Sequence, residues 1–125
     1  MCPKGGVMLT IAEGKQIYVY TEPFDMRKSI NGIIVTLLED FDQNPQTGDY
    51  YLFVNRGRNK IKCLFWSGNG FSLYYRRLEK GRFNYSKDIG QNRILVSEKQ
   101  LRALFLGLDF YLLEHISVPE YQNFF

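Results

Sequence analysis

Between Arg56 and Arg93 the chain places ten Lys or Arg residues (Arg56, Arg58, Lys60, Lys62, Arg76, Arg77, Lys80, Arg82, Lys87 and Arg93) against two acids, Glu79 and Asp88. That is a local charge of +8, while the whole chain carries only +3, so the remainder is net negative. Cations at this density attract anions. Arg forks onto two phosphate oxygens and Lys acts as a point charge. The same stretch holds Phe65, Trp66, Phe71, Tyr74, Tyr75, Phe83 and Tyr85. Cations interleaved with aromatic rings are the composition of a surface that grips nucleic acid, the commonest polyanion in a cell. The candidate phosphate contacts are Arg56, Arg58, Lys60, Lys62, Arg76, Arg77, Lys80 and Arg82, with Lys87 and Arg93 read as solvated surface. Roughly six such contacts on duplex DNA predict a log–log salt slope of about −5. Tyr75 and Phe83 are the candidates for stacking on unpaired bases, while Trp66 and Phe71 are expected in the core.

Other chemistry finds little support. His115 is the sole histidine, and Cys2 and Cys63 lie far apart, so no metal site of close N and S ligands is expected and no cofactor is assigned. No Ser, His and Asp set has local motif support, and Cys63 reads as a small buried strand residue. Metal-dependent phosphodiester cleavage needs carboxylates brought within a few ångströms of each other. Asp25, Glu39, Asp40, Asp42, Asp49 and Asp109 are the candidates. Their simpler readings are a helix cap at Asp25 and a solvated helix end at Glu39, Asp40 and Asp42. The turns Arg56-Gly57-Arg58-Asn59 and Ser67-Gly68-Asn69-Gly70 match neither phosphate-cradle pattern and precede no helix.

The elements that position the basic block follow from hydrophobic spacing. Tyr50–Asn55, Lys60–Trp66 and Phe71–Leu78 are strands joined by those two turns, an antiparallel meander. Symmetric register pairs Trp66 with Phe71, Leu64 with Leu73, Lys62 with Tyr75, Lys60 with Arg77, Asn55 with Lys60 and Val54 with Ile61. Apolar pairs then gather near Ser67–Gly70 and cations at the opposite end, an arrangement that costs repulsion unless an anion is expected there. Ile30, Ile33, Ile34, Leu37, Leu38 and Phe41 form one helical stripe, capped by Asp25, extended by Met26 and ended by Asn44-Pro45. Gly32 inside it costs about 1 kcal/mol of propensity. Val7–Ile11 and Ile17–Tyr20 flank a turn at Glu13-Gly14-Lys15 and predict an opening hairpin. Phe83–Tyr85 and Ile94–Val96 add short strands. A last helix starts at Ser97, with a Ser97/Gln100 capping box and a Val96/Leu101 staple. It buries Leu101, Leu104, Phe105 and Leu108.

These elements make an α+β fold: an antiparallel β-meander packed with one long amphipathic helix and a C-terminal helix. At 125 residues, with 45% apolar and 23% charged residues, one domain with an ordered core is expected, with a tail over residues 110–125. No apolar run is long enough to span a bilayer, and the first residues carry no signal-peptide pattern. The two separated cysteines fit a reducing, cytoplasmic location.

Four segments in order carry a resemblance: Asp25-Met26-Arg27-Lys28 before the helix with Gly32; Tyr51 to Arg58 with Lys60-Ile61-Lys62 and Trp66 to Gly70; Arg77 to Phe83; and Leu108-Asp109. Together they resemble the small accessory protein of insertion sequence 66 type elements. That protein is the product of the element's second open reading frame, often labelled TnpB but distinct from the RNA-guided nuclease of that label. The resemblance covers about Ile17 to Asp109. It implies a non-enzymatic accessory role in bacterial transposition, beside a separate transposase. Joined to the basic block, it predicts binding of DNA or of a transposase–DNA complex through a basic sheet edge. The alternative is a protein–protein adaptor that docks on the transposase through the aromatic tail (Phe110, Tyr111, Tyr121, Phe124, Phe125).

Overall fold

A computed structural model describes residues 9–84 and 92–107. Seven elements follow one another: β1 (Ile17–Tyr20), α1 (Ile30–Asp40), β2 (Tyr50–Val54), β3 (Lys60–Ser67), β4 (Gly70–Arg77), β5 (Arg93–Val96) and α2 (Glu98–Phe105), with a 3-10 turn at Pro45–Thr47 before β2. The strands form one sheet in the order β4-β3-β2-β1-β5. The expected α+β architecture holds, but the sheet is mixed.

The meander β2-β3-β4 has the register expected from its tight turns. Trp66 pairs with Phe71, Leu64 with Leu73, Lys62 with Tyr75, Lys60 with Arg77 and Val54 with Ile61. Asn55 N also donates to Lys60 O (3.1 Å). The opening hairpin does not form. β1 instead runs parallel to β2 (Ile17 beside Tyr50) and antiparallel to β5 (Ile17 beside Val96). Ile17, Val19 and Tyr20 are all buried, so both faces of this strand are covered, which a two-stranded hairpin at an edge cannot provide. The turn at Glu13-Gly14 survives, with Gly14 at φ +82°. Leu9 and Ile11 pack beside the sheet rather than pairing with β1; Val7 lies outside the described residues.

Strand alternation separates two cores. Ile17, Val19, Tyr50, Leu52, Val54, Ile61 and Cys63 point to the face covered by Leu101, Leu104 and Phe105 of α2. Tyr20, Tyr51, Phe53 and Leu64 point to the other, covered by Ile33 and Leu37 of α1. Tyr20 and Phe53 stack with ring centroids 4.6 Å apart. Trp66 and Phe71 meet edge to face at 4.8 Å; both are half-buried, with Phe71 packed against the α1-side core.

α1 starts later than the sequence suggests. Its N-cap is Ser29, not Asp25. Asp25 Oδ1 accepts from Arg27 N (2.9 Å) and Asp25 O from Lys28 N (3.1 Å), so residues 25–28 form a turn of their own. Asp competes with helix in this way when its side chain reaches the amide two residues on. Met26 therefore does not extend the stripe. The stripe is also narrower: Leu38 is 53% exposed, while Thr36 is buried with its hydroxyl donating to Gly32 O (2.9 Å). The helix stops at Asp40, ahead of Asn44-Pro45; beyond it Asp42 turns left-handed (φ +52°) and Gln43 N reaches back to Leu37 O (2.9 Å). α2 is as read: Ser97 Oγ accepts from Gln100 N and Gln100 Oε1 from Ser97 N, and Gly107 (φ +77°) follows its end. Leu108 lies outside the described residues.

Gly32 has a packing reason. A Cβ there would lie 3.0 Å from Lys28 Cβ and 3.2 Å from its Cγ. The root of a side chain cannot swing away as its tip can. Propensity alone credits Gly32→Ala with about 1 kcal/mol of stabilisation. We expect the clash to outweigh it and the thermal midpoint, followed by circular dichroism, to fall; a rise would show that Lys28 yields freely.

Candidate nucleic-acid interface

The turn from β2 to β3 is built around Asn55. Its Oδ1 accepts from Asn59 N and Lys60 N (both 3.0 Å), and its Nδ2 donates to Asn59 Oδ1 (2.9 Å). Arg58 N donates to Asn55 O (3.0 Å), and Arg58 itself is left-handed at φ +59°. An Arg in that conformation costs on the order of 1 kcal/mol, offset here by the bonds that Asn55 makes. The result is a fixed loop that leaves Arg56 exposed at its tip.

Across from this loop lies the 25–28 turn, held to the sheet from both ends. Phe24 N donates to Val54 O (2.9 Å). Lys62 Nζ, rising from β3, donates to Met26 O and to Lys28 O, both at 2.7 Å. Between the two segments runs an open groove of about 680 Å³. Phe24, Asp25, Met26 and Arg27 form one wall, and Asn55, Arg56 and Gly57 the other. Lys60, Lys62 and Tyr75 lie along the sheet between them. Four cations thus share the groove with one carboxylate. That carboxylate, Asp25, is bound to the Arg27 guanidinium (2.9 Å to Nη2). The side-chain bond from Arg27, then its backbone N–H, hold the Asp25 carboxyl down at about 2. The same bond raises Arg27 further, so the pair stays ionised at neutral pH.

The match to known proteins covers both walls of this groove. The family described as IS66 Orf2 like protein matches residues 15–115. The chain belongs to this family. Orf2-like proteins are accessory proteins of insertion-sequence elements. Two uncharacterised proteins of Sinorhizobium fredii (strain NBRC 101917 / NGR234), y4jC and y4hO, are 27% and 28% identical over 103 residues. Those alignments cover 82% of this chain and 87% and 89% of theirs. No solved structure matches the Orf2-like chain.

The cations expected at one end of the sheet do gather there, but on two faces. Lys60, Lys62 and Arg77 share the α1 face with Tyr75 by alternation and pairing. Arg77 is turned onto Glu79 (3.0 Å), an exposed pair worth little to stability. Arg76 points the other way. Its Nε donates to Phe105 O (3.3 Å) and its guanidinium lies 5.6 Å from the Phe105 ring centroid, so it neutralises the carbonyl end of α2. Lys80 and Arg82 are exposed in the segment after β4, which folds back on the turn through Leu78 N to Asn59 O (2.8 Å) and Phe83 N to Arg58 O (2.7 Å). Phe83 is fully buried under α2 and cannot stack on a base. Tyr75, 49% exposed in the groove, can. Sequence reasoning missed Arg27, Met26 and Phe24. The Asp25-Met26-Arg27-Lys28 segment stood out as a motif, but nothing in a linear sequence says that it faces a loop some 30 residues on.

Hydrolytic chemistry gains nothing from the geometry. Among the described residues no group of His, Cys, Asp and Glu could hold a metal. Asp25 is engaged by Arg27, and Asp49 accepts from Gln16 N (3.0 Å) and Thr47 Oγ1 (3.1 Å). Cys63 is wholly buried, and burial pushes its thiol up, away from reactivity. His115, Cys2 and Asp109 lie outside the described residues. Among those described, no helix is long and apolar enough to cross a membrane.

Lys62 and Lys60 can be told apart by measurement. Lys62→Met removes two charge-assisted bonds and leaves two carbonyls short of partners, so urea unfolding should show a loss of about 2–3 kcal/mol. Lys60→Met, whose ammonium has no partner among the described residues, should change stability by less than about 0.5 kcal/mol. Equal losses would contradict the structural role of Lys62.

Proposed function

We propose that this Orf2-like protein serves transposition as a non-catalytic nucleic-acid-binding accessory, gripping DNA phosphates in the groove between residues 24–27 and the Asn55–Lys60 turn. The observation that carries this reading is unbalanced charge. Arg27, Arg56, Lys60 and Lys62 meet in one groove with Asp25 as the single acid. Arg56 and Lys60 have no protein partner among the described residues. Lys60 also sits directly opposite Arg77 across β3 and β4, a like-charge pairing that costs stability. A phosphate removes that cost. Arg27, Arg56, Lys60 and the remaining donor of Lys62 are the inner contacts. Arg58, Arg77, Lys80 and Arg82 form an outer track. Arg76, spent on α2, is left out. The transposase of the same element is the natural companion in such a complex.

Fluorescence anisotropy of labelled DNA over a salt series tests the reading. Three to four inner contacts set a log–log slope of about −3, which outer-track contacts steepen, and Arg56→Ala/Lys60→Ala should reduce its magnitude by about two. Absence of binding to any nucleic acid at low salt would remove the proposal. Asp25→Asn separates it from hidden nuclease chemistry. Losing the one carboxylate should tighten binding roughly two- to threefold, given the modest strength of an exposed charge interaction. A nuclease that used Asp25 would instead lose metal-dependent plasmid nicking.

A second reading, an adaptor for the transposase, is favoured by Val35 and Leu38 on the outer face of α1, one turn apart and 49% and 53% exposed. Co-purification with the transposase, and its loss in Leu38→Glu, would support it.

A further inference from the structure

We infer that the groove receives an unpaired nucleotide, so that the preferred ligand is single-stranded DNA rather than duplex; this rests on the nucleic-acid reading above. The groove is not a plain cationic track. Phe24, Met26 and the exposed ring of Tyr75 give it apolar walls, and Arg27, Arg56 and Lys60 form its charged margin. A duplex presents phosphates outward and keeps its bases stacked inside. It would meet the cations and leave the apolar walls wet. An unpaired strand offers both a phosphate and a free π-face, which is the pairing of features that single-strand sites use. The size agrees: about 680 Å³ falls in the range of cavities that hold small organic molecules, roughly 300–1,000 Å³.

Tyr75 is the centre of this reading. Its neighbours in β4 are packed, Leu73 against the α1-side core and Tyr74 against the α2-side core, whereas Tyr75 keeps 49% of its surface open. Lys62 Nζ lies 6.0 Å from its ring centroid. Two of the three ammonium protons go to Met26 O and Lys28 O, and the third has no partner among the described residues. A base stacked on Tyr75 would therefore carry its phosphate next to a donor already fixed in position. The one side-chain amide that lines the groove, Asn55, is committed to its own turn, its oxygen to Asn59 N and Lys60 N and its nitrogen to Asn59 Oδ1. The site should accept many sequences.

The test measures binding of the full chain to labelled oligothymidylate of about 15 nucleotides, to a duplex of equal length, and to a strand of the same length lacking its bases. The single strand should bind at least about tenfold more tightly than either of the others. Tyr75→Ala should lose about tenfold on the single strand and nothing on the duplex, while Tyr75→Phe keeps full affinity. The comparison of ligands needs no variant, so a folding defect in Tyr75→Ala does not blunt it. Equal affinity for strand, duplex and base-free strand, with the salt slope intact, would overturn the single-strand inference and leave the nucleic-acid reading standing. No binding to any of the three would overturn both.

Discussion

One ammonium group makes the groove possible. Lys62 leaves the α1 face of β3 and binds the carbonyl oxygens of Met26 and Lys28 at 2.7 Å each. Those carbonyls belong to the turn that leads into α1, so this side chain joins the core packing of Ile33 and Leu37 in fixing the approach of the helix to the sheet. Charge-assisted bonds are roughly twice as strong as neutral ones, and here they close a contact between segments more than 30 residues apart. Phe24 N to Val54 O holds the other end of the same segment. With both ends pinned, Arg27 and Asp25 stand opposite the Asn55–Lys60 loop at a fixed distance. Release the Lys62 bonds, and the wall of the groove keeps only the contacts of Phe24 among these, its N–H on Val54 O and its ring 4.5 Å from that of Phe53.

The mixed sheet explains why the cations divide as they do. Inserting β1 between β2 and β5 places a strand with both faces buried near the middle, so each face needs its own cover. α1 supplies one and α2 the other. Neither helix is long: α1 leaves Lys60, Tyr75 and Arg77 outside its core, whereas the end of α2 reaches Tyr74 and Arg76 through Phe105. Cations on β3 and β4 then take whichever face their parity dictates. Lys60, Lys62 and Arg77 fall on the α1 side, and Arg76 falls on the side where the last carbonyls of α2 await a donor. One residue of sequence shift exchanges a groove residue for a helix-capping one.

Much of this was legible in the sequence, for reasons that can be named. Short turns fix hairpin register, so the pairings of Trp66 with Phe71 and Lys60 with Arg77 followed from counting outward from Ser67–Gly70 and from Arg56–Asn59. The capping box at Ser97 is a local signal and was as readable as it was real. What escaped was non-local. Ile17–Tyr20 is β-favouring in any register, and only tertiary burial decides that its partners are β2 and β5 rather than residues 7–11. Asp25 carries the right side chain for a helix cap, yet its bond to Arg27 N closes a separate turn first. Phe83 has the same composition as an exposed stacking ring, yet it is buried beneath α2 with its N–H donating to Arg58 O, contacts that no local pattern marks.

Charge density alone therefore says little about which cations meet a ligand. Lys60 and Lys62 are the same residue type, two apart on one strand face, and lie along one groove. Lys62 has carbonyls within reach and becomes part of the fold. Lys60 faces Arg77 and has nothing to bind among the described residues. The distinction matters because a bound cation already has most of its electrostatic gain, whereas an unbound one held near like charges carries a standing repulsion. Arg56 is in the second class: the Asn55 network supports its loop and leaves the guanidinium itself in solvent. On the proposed reading, a loop held by several hydrogen bonds and a left-handed Arg58 presents to a phosphate a tip cation that has no hydrogen bond or ion pair among the described residues. The ring of Tyr75, open in the same groove, is what turns that reading toward an unpaired base.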